Sequence, residues 1–182
     1  LTRALERLVV VVVSVAIAVG IIALLSGGLL AGRDDPGVSA GQAGPGTFFA
    51  GQGDAYLQPG QSPPRYDSDP PTSGPHVPVP VTRDESELTN DQLLQSLSSG
   101  DIVLMYGSRE PPPELRRLAA SAAPAFSPAL AASGQAVILA RRSGIAGVIG
   151  LAWTHMLRVD NPADPALRNF VQFWLGRGAP AH

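Results

Sequence analysis

The chain has 182 residues, 45% of them hydrophobic, and a formal net charge of −2 from 13 basic side chains, all Arg, and 15 acidic ones. That balance offers no basic field to hold nucleic acid at physiological salt, so DNA and RNA binding are excluded. Zero Cys removes disulfides, thiolate nucleophiles and Cys-ligated zinc or iron–sulfur centres.

The apolar residues are unevenly placed. Leu8 to Leu30 is an uncharged, almost wholly aliphatic run of 23 residues, about 34 Å long as a helix at about 1.5 Å per residue. It is long enough for a hydrocarbon core of about 30 Å and exceeds the apolar stretch of about 7–15 residues in a cleaved signal peptide. Residues 1–31 are therefore expected to form a transmembrane helix that stays on the protein as an anchor. Arg3 and Arg7 precede the run, while Arg33, Asp34 and Asp35 follow it. This bias predicts a single-pass protein of the cell membrane with a cytoplasmic N-terminus and an extracytoplasmic C-terminal domain. Ala16 and Gly20, like Ala23 and Gly27, sit four apart, the small-residue spacing that lets helices approach closely. They are the expected partner contacts within the bilayer. No ionisable side chain lies in the run, so its work is anchoring rather than proton or ion passage.

Between Gly32 and Val81 the chain holds nine Gly and ten Pro. Residues 32–65 are read as an extended tether, ordered by contact with neighbouring chains. Phe48, Phe49 and Tyr56 are the large side chains expected to make those contacts. Only the remaining hundred or so residues supply much apolar material, so the domain from residue 66 to 182 is expected to lean on a partner for stability.

Residues 66–76 read Tyr66-Asp67-Ser68-Asp69-Pro70-Pro71-Thr72-Ser73-Gly74-Pro75-His76. The run of prolines makes a rigid connection, with Asp69 pushed toward extended geometry and Gly74 free to take positive φ. The stretch resembles the signature of a bacterial family of membrane-anchored extracytoplasmic domains of unknown function. The resemblance continues through Gly51 to Gly53, Leu57 to Gln61, Gly100 to Tyr106, Ala152-Trp153 and Phe170 to Pro180. Members of that family carry a histidine before the signature and an L-V-H-N-L-E-H-G segment after it. Here Tyr56 stands near the first position, and Gln95, Ser98 and Ser99 fall where the segment has His, Glu and His. Only His76 remains of that polar set. The resemblance thus implies a member that has lost any metal site those groups formed, and no cofactor is expected.

Farther along, Leu93, Leu94 and Leu97 recur at helical spacing over Asp91 to Ser98, after Thr89 or Asn90 as a cap. Asp101 to Tyr106, bounded by Gly100 and Gly107, predicts a buried strand. Pro111 to Pro113 open a helix from about Glu114 to Ala122. Gln135 to Ala140 and Val148 to Thr154 are two further strands, expected to pair as a hairpin across Arg141-Arg142-Ser143-Gly144. Asp164 caps a last helix from Pro165 to about Leu175 whose stripe is Leu167, Phe170, Val171, Trp174 and Leu175. The fold class expected is α+β, a small mixed or antiparallel sheet carrying two to three helices.

Chemistry is sparse. Ser98, Ser99 and Ser121 lack a G-x-S-x-G elbow, and nothing in the sequence pairs an acid with His155, so no enzyme is expected. Trp153 and His155 are expected to share one face of a strand, with His155 half-buried beside the aromatic ring. The favoured function is a non-catalytic accessory subunit of a multi-subunit membrane complex, of the respiratory or photosynthetic electron-transfer kind. Its partners are other integral-membrane subunits and the lipid bilayer. The rival reading is an extracytoplasmic metal- or ligand-binding domain using His76 and His155, with Tyr66 and Tyr106.

Overall fold

The computed structural model describes residues 44–58 and 60–179. The expected membrane helix, with Ala16, Gly20, Ala23 and Gly27, and the tether up to residue 43 lie outside the described residues. No described helix is long and apolar enough to cross a membrane.

Ten elements follow in order: β1 (Thr47–Phe48), β2 (Ser86–Glu87), α1 (Asn90–Ser99), β3 (Ile102–Tyr106), α2 (Pro113–Ala122), α3 (Pro128–Ala132), β4 (Val137–Arg141), β5 (Val148–Ala152), β6 (His155–Val159) and α4 (Pro165–Trp174). Helix starts follow local chemistry. Thr89 caps α1 in a capping box: its hydroxyl accepts from Gln92 N at 3.2 Å and its own N–H donates to Gln92 Oε1 at 3.1 Å. Pro113, Pro128 and Pro165 occupy first turns, where a missing N–H costs nothing. The caps of the last two helices are Ser127, accepting from Leu130 N, and Asp164, accepting from Ala166 N. Gly100 ends α1 at φ 113° and returns its N–H to Leu97 and Ser96 carbonyls.

The six strands form one mixed sheet in the order β1-β6-β5-β3-β4-β2. β3 lies parallel to β4 and antiparallel to β5, and every residue of β3 and β5 is buried. Alternation sends the two sides of these strands into two cores. Val103, Met105, Ile138 and Ile149 meet Leu93, Leu94 and Leu97 of α1 and Ala131 of α3. Ile102, Leu104, Leu139 and Val148 meet Leu115 and Leu118 of α2 and Phe170, Val171 and Trp174 of α4. Helices therefore cover both faces of the sheet, which is why its central strands read as continuous apolar runs. The fold is α+β, with four helices among the described residues rather than two or three.

Two sequence expectations are corrected here. β4 and β5 do not form a hairpin, because β3 lies between them and reaches β4 through the α2–α3 crossover. The hairpin that forms joins β5 to β6, with Ala152 opposite His155 across a two-residue turn at Trp153-Thr154. Thr154 takes φ 62°, unusual for a β-branched residue, and nothing in Trp-Thr announces it. The turn also separates two residues expected on one face. Trp153 enters the core beneath α1, while His155 stacks on Trp174 of α4, ring centroids 4.0 Å apart.

The compact unit begins at Gly44, well before the expected boundary at residue 66. Thr47 and Phe48 add an edge strand against Met156 and His155. Just upstream, Pro45 O accepts from Trp174 Nε1 at 2.8 Å, and a Cβ on Gly44 would lie 2.2 Å from the Trp174 ring. Phe48 stands 5.4 Å from the His155 ring and Phe49 packs against the α1-side core, so both find partners inside the domain. On the opposite edge, Asp84 Oδ1 accepts from Leu139 N at 2.8 Å, and the Glu85 carboxylate takes two bonds from Arg116. That guanidinium holds Glu85 below the usual carboxylate range.

Candidate functional site

The Pro-rich signature, read from sequence as a connection, is a buried brace. Pro70, Pro71, Thr72, Ser73, Gly74 and His76 are all buried, and the Asp69-Pro70 bond is cis. Thr72 O accepts from Thr154 N at 2.9 Å, and Phe49 N donates to Thr154 O at 2.8 Å, so the strained turn residue is held from both sides. Ser73 Oγ accepts from Gln52 N at 3.1 Å, and Tyr66 OH donates to Pro75 O at 2.9 Å. Gly74, at φ 129°, lies against the Tyr66 ring, where a Cβ would stand 2.8 Å from Cε1. Asp69 pairs with Arg142, and its carbonyl accepts from Arg158 Nη2 at 2.6 Å. Arg142, expected in a solvated turn, thus serves the brace.

The two candidate histidines are each fully buried. His76 Nδ1 lies 2.9 Å from Gly74 O, and His155 Nδ1 lies 3.2 Å from Trp153 O. A carbonyl only accepts, so in both rings Nδ1 donates, and Nε2 is buried without a partner. Burial lowers the pKa of His155, with the Trp153 carbonyl opposing the shift. Their surroundings differ: His76 meets Tyr56 edge-on at 5.6 Å, whereas His155 lies among Phe48 and Trp174. Among the described residues no group of three His, Cys, Asp or Glu is placed to hold a metal ion. Two imidazoles in separate surroundings fall short of the three or four protein ligands that zinc takes, so these residues do not fit a resident metal. Tyr106 is buried in the α2–α4 core with its hydroxyl unpartnered, and burial raises its pKa. Tyr66 belongs to the brace.

A pocket of about 230 Å³ opens between α1, α3 and the segment Pro78–Val81, and neither His76, His155, Tyr66 nor Tyr106 lines it. Its walls include Tyr56, Pro78, Pro80, Gln95, Ser99 and Pro128, and no charged side chain contributes. Tyr56, Gln95 and Ser99 are the positions where the resembling family pattern has histidines, and the fold brings all three to one cavity. Ser98 does not line it; its carbonyl instead accepts from Ala179 N at 2.9 Å. Ser98 and Ser99 hydroxyls both donate to the backbone carbonyl of Gln95, each at 2.9 Å, while Gln95 Oε1 is buried without a partner. Tyr56 is fixed by a parallel bridge to His76, with Leu57 N donating to His76 O and His76 N to Ala55 O.

Sequence reading missed Asp101, taken only as the start of a strand. Its side chain is 1% exposed, with Oδ1 accepting from Ala136 N at 2.8 Å and Oδ2 unpartnered. Burial pushes its carboxyl up to about 7, against the opposing Ala136 bond. It stands where the end of α1, the start of β4 and the segment after α4 meet backbone to backbone. Gly176 N donates to Gly100 O there, and a Cβ on Gly134 would lie 1.9 Å from Ser99 O. An acid beside a helix-ending glycine was the available signal, but it marks a turn far more often than a buried charge.

A mixed sheet clad on both faces, with a buried Pro-rich brace and a small uncharged pocket beside it, defines the class: an α+β domain. Residues 59–181 match the family model described as "Protein of unknown function (DUF3105)", and the chain belongs to that family. The comparisons with curated proteins and with solved structures each return no match.

Proposed function

We propose that the chain is a non-catalytic, single-pass accessory subunit of a multi-subunit membrane complex. Residues 1–31 are its anchor, and the domain from Gly44 onward docks on the extracytoplasmic side of an energy-converting assembly. One observation supports this reading most: Tyr56, a large hydrophobic side chain that is 56% exposed, lines the pocket. The bridge between Tyr56 and His76 fixes the Tyr56 backbone against the brace. An exposed aromatic mounted beside a pocket is a common form of interface anchor. Residues 32–43 leave a leash of at most about 40 Å at about 3.3 Å per residue.

The test is purification of the full chain from its native membrane in mild detergent, with co-eluting subunits identified. A stoichiometric companion is expected, and Tyr56→Ala is expected to release it. A full chain that elutes without companions overturns the proposal.

A further inference from the structure

We infer that residues 44–48 are an acid-released strap: a proton taken up by His155 detaches them from the edge of the sheet. The release stands independently of membrane anchoring, and only its effect on reach rests on that reading.

The strap has few holds, and they converge on one ring. Phe48 pairs with His155 in the ladder, its own ring 5.4 Å from the imidazole. Trp174, stacked on the same imidazole at 4.0 Å, donates from Nε1 to Pro45 O at 2.8 Å. A Cβ on Gly44 or Gly46 would stand 2.2 Å from the Trp174 ring or 2.8 Å from the Phe170 ring, so this backbone lies directly on the aromatic cluster. Phe49, packed against the α1-side core, ends the strap. Two covers thus close over His155. One is α4, rooted by buried Leu167, Phe170 and Val171. The other is the strap, with Thr47 exposed and Phe48 half-buried, and it is the lighter of the two to lift.

The covered ring has no place for a second proton. Nδ1 faces the Trp153 carbonyl at 3.2 Å and the Thr154 hydroxyl at 3.1 Å, and Nε2 is buried with no acceptor in reach. The elements around it, β1, β5, β6 and α4, contain no Asp or Glu. Their other ionisable residues are Arg158, bonded to Asp69 O, and Arg168, which lines a cavity with Glu114 and Asp164. Arg177, just past α4, lies over the Phe173 ring, and Asp69 of the brace pairs with Arg142. A cation at His155 gains the face of Trp174 and the end of α4. It loses its hydration and leaves an N–H without an acceptor. Lifting the strap admits water to that N–H, and burial accordingly keeps the covered ring neutral to lower pH than a free imidazole. Once freed, residues 44–48 add about 16 Å, at about 3.3 Å per residue, to the reach of an anchored chain.

The test is a pair of spin-label distance measurements on the full chain in nanodiscs. The chain has no Cys, so labels go only where cysteines are introduced. Thr47→Cys with Gln172→Cys, both exposed, spans the strap and α4; Ser133→Cys with Gln172→Cys spans the domain without the strap. From pH 8 to pH 5 the strap pair is expected to change from one narrow distance to a mixture with a broad, longer population. The ratio of released to docked chains rises by up to about thirtyfold, the limit set by a freed imidazole titrating near 6.5. The control pair keeps its distance. His155→Phe is expected to hold the strap at both pH values. Trp174→Phe keeps a ring against His155 but removes the Pro45 bond, and is expected to start release at higher pH. An unchanged strap pair, an equal change in the control pair, or acid release that persists in His155→Phe overturns the inference. Any of these failures leaves the docking reading standing, because co-elution of a companion does not depend on the strap.

Discussion

The brace and the pocket face meet at Tyr56 and His76, and most polar groups of the first are paired where a buried acceptor beside the second is not. On the brace, the Thr72 carbonyl, the Ser73 hydroxyl, the Tyr66 hydroxyl and both ends of Asp69 have intramolecular partners. On the pocket face, Gln95 Oε1 has none and Tyr56 stays exposed. His76 joins the two, its Nδ1 bonded within the brace and its ring against Tyr56. The contrast separates what the signature does for the fold from what it presents outward.

The sharpest way to break that division is at Gly74. Gly74→Val places a branched Cβ at φ 129° and against the Tyr66 ring, so stability should fall by about 3 kcal/mol or more in denaturant unfolding. A loss below about 1 kcal/mol would mean the brace is dispensable.

Asp101 belongs to neither side, with one oxygen bonded and one not. Its folded pKa, about 7, lies above the unfolded value near 3.8, so the folded state holds the proton longer. Its effect on stability is therefore most favourable below about pH 4, declines as pH rises toward about 7, and is constant above. Asp101→Asn should flatten that decline and stabilise the protein at pH 8 by about 2–4 kcal/mol, measured as the pH dependence of unfolding. An unchanged profile would show that the carboxylate finds solvation in the folded state.

His155 should give the opposite slope. Its folded pKa lies below the unfolded value near 6.5, so stability is full above that pH and falls as pH drops below it. His155→Phe keeps an aromatic ring against Trp174 and should remove this acid-side loss while leaving the Asp101 slope in place. On the pocket face, by contrast, Tyr56→Ala should change stability by about 0.5 kcal/mol or less, because the side chain is mostly exposed.

Much of this architecture could be read directly where local chemistry decides it. Thr89, Pro113, Asp164 and the apolar periodicity after each place α1, α2 and α4 within one or two residues, and Ile102 to Tyr106 reads as the buried strand it is. Pairing was less legible. The β5–β6 turn contains no Gly, Asn or Asp, so alternation appeared to run straight from Val148 through His155. Strand β1 is two residues in a Gly/Pro-rich setting, and only distant groups, Trp174 and His155, make it a strand. Three of the pocket's residues, Tyr56, Gln95 and Ser99, stood out in the sequence only as departures from a resembling pattern, with no sign of a cavity. Their convergence depends on long-range packing that no local signal records.

The most direct test of the docking claim is site-specific photo-crosslinking in native membranes, with a photoreactive phenylalanine analogue at position 56 and, as a control, at Arg117 on the exposed face of α2. The account predicts that position 56 captures the same companion that co-elutes with the full chain, and that position 117 does not. Capture of that companion at 117 with none at 56 would contradict it.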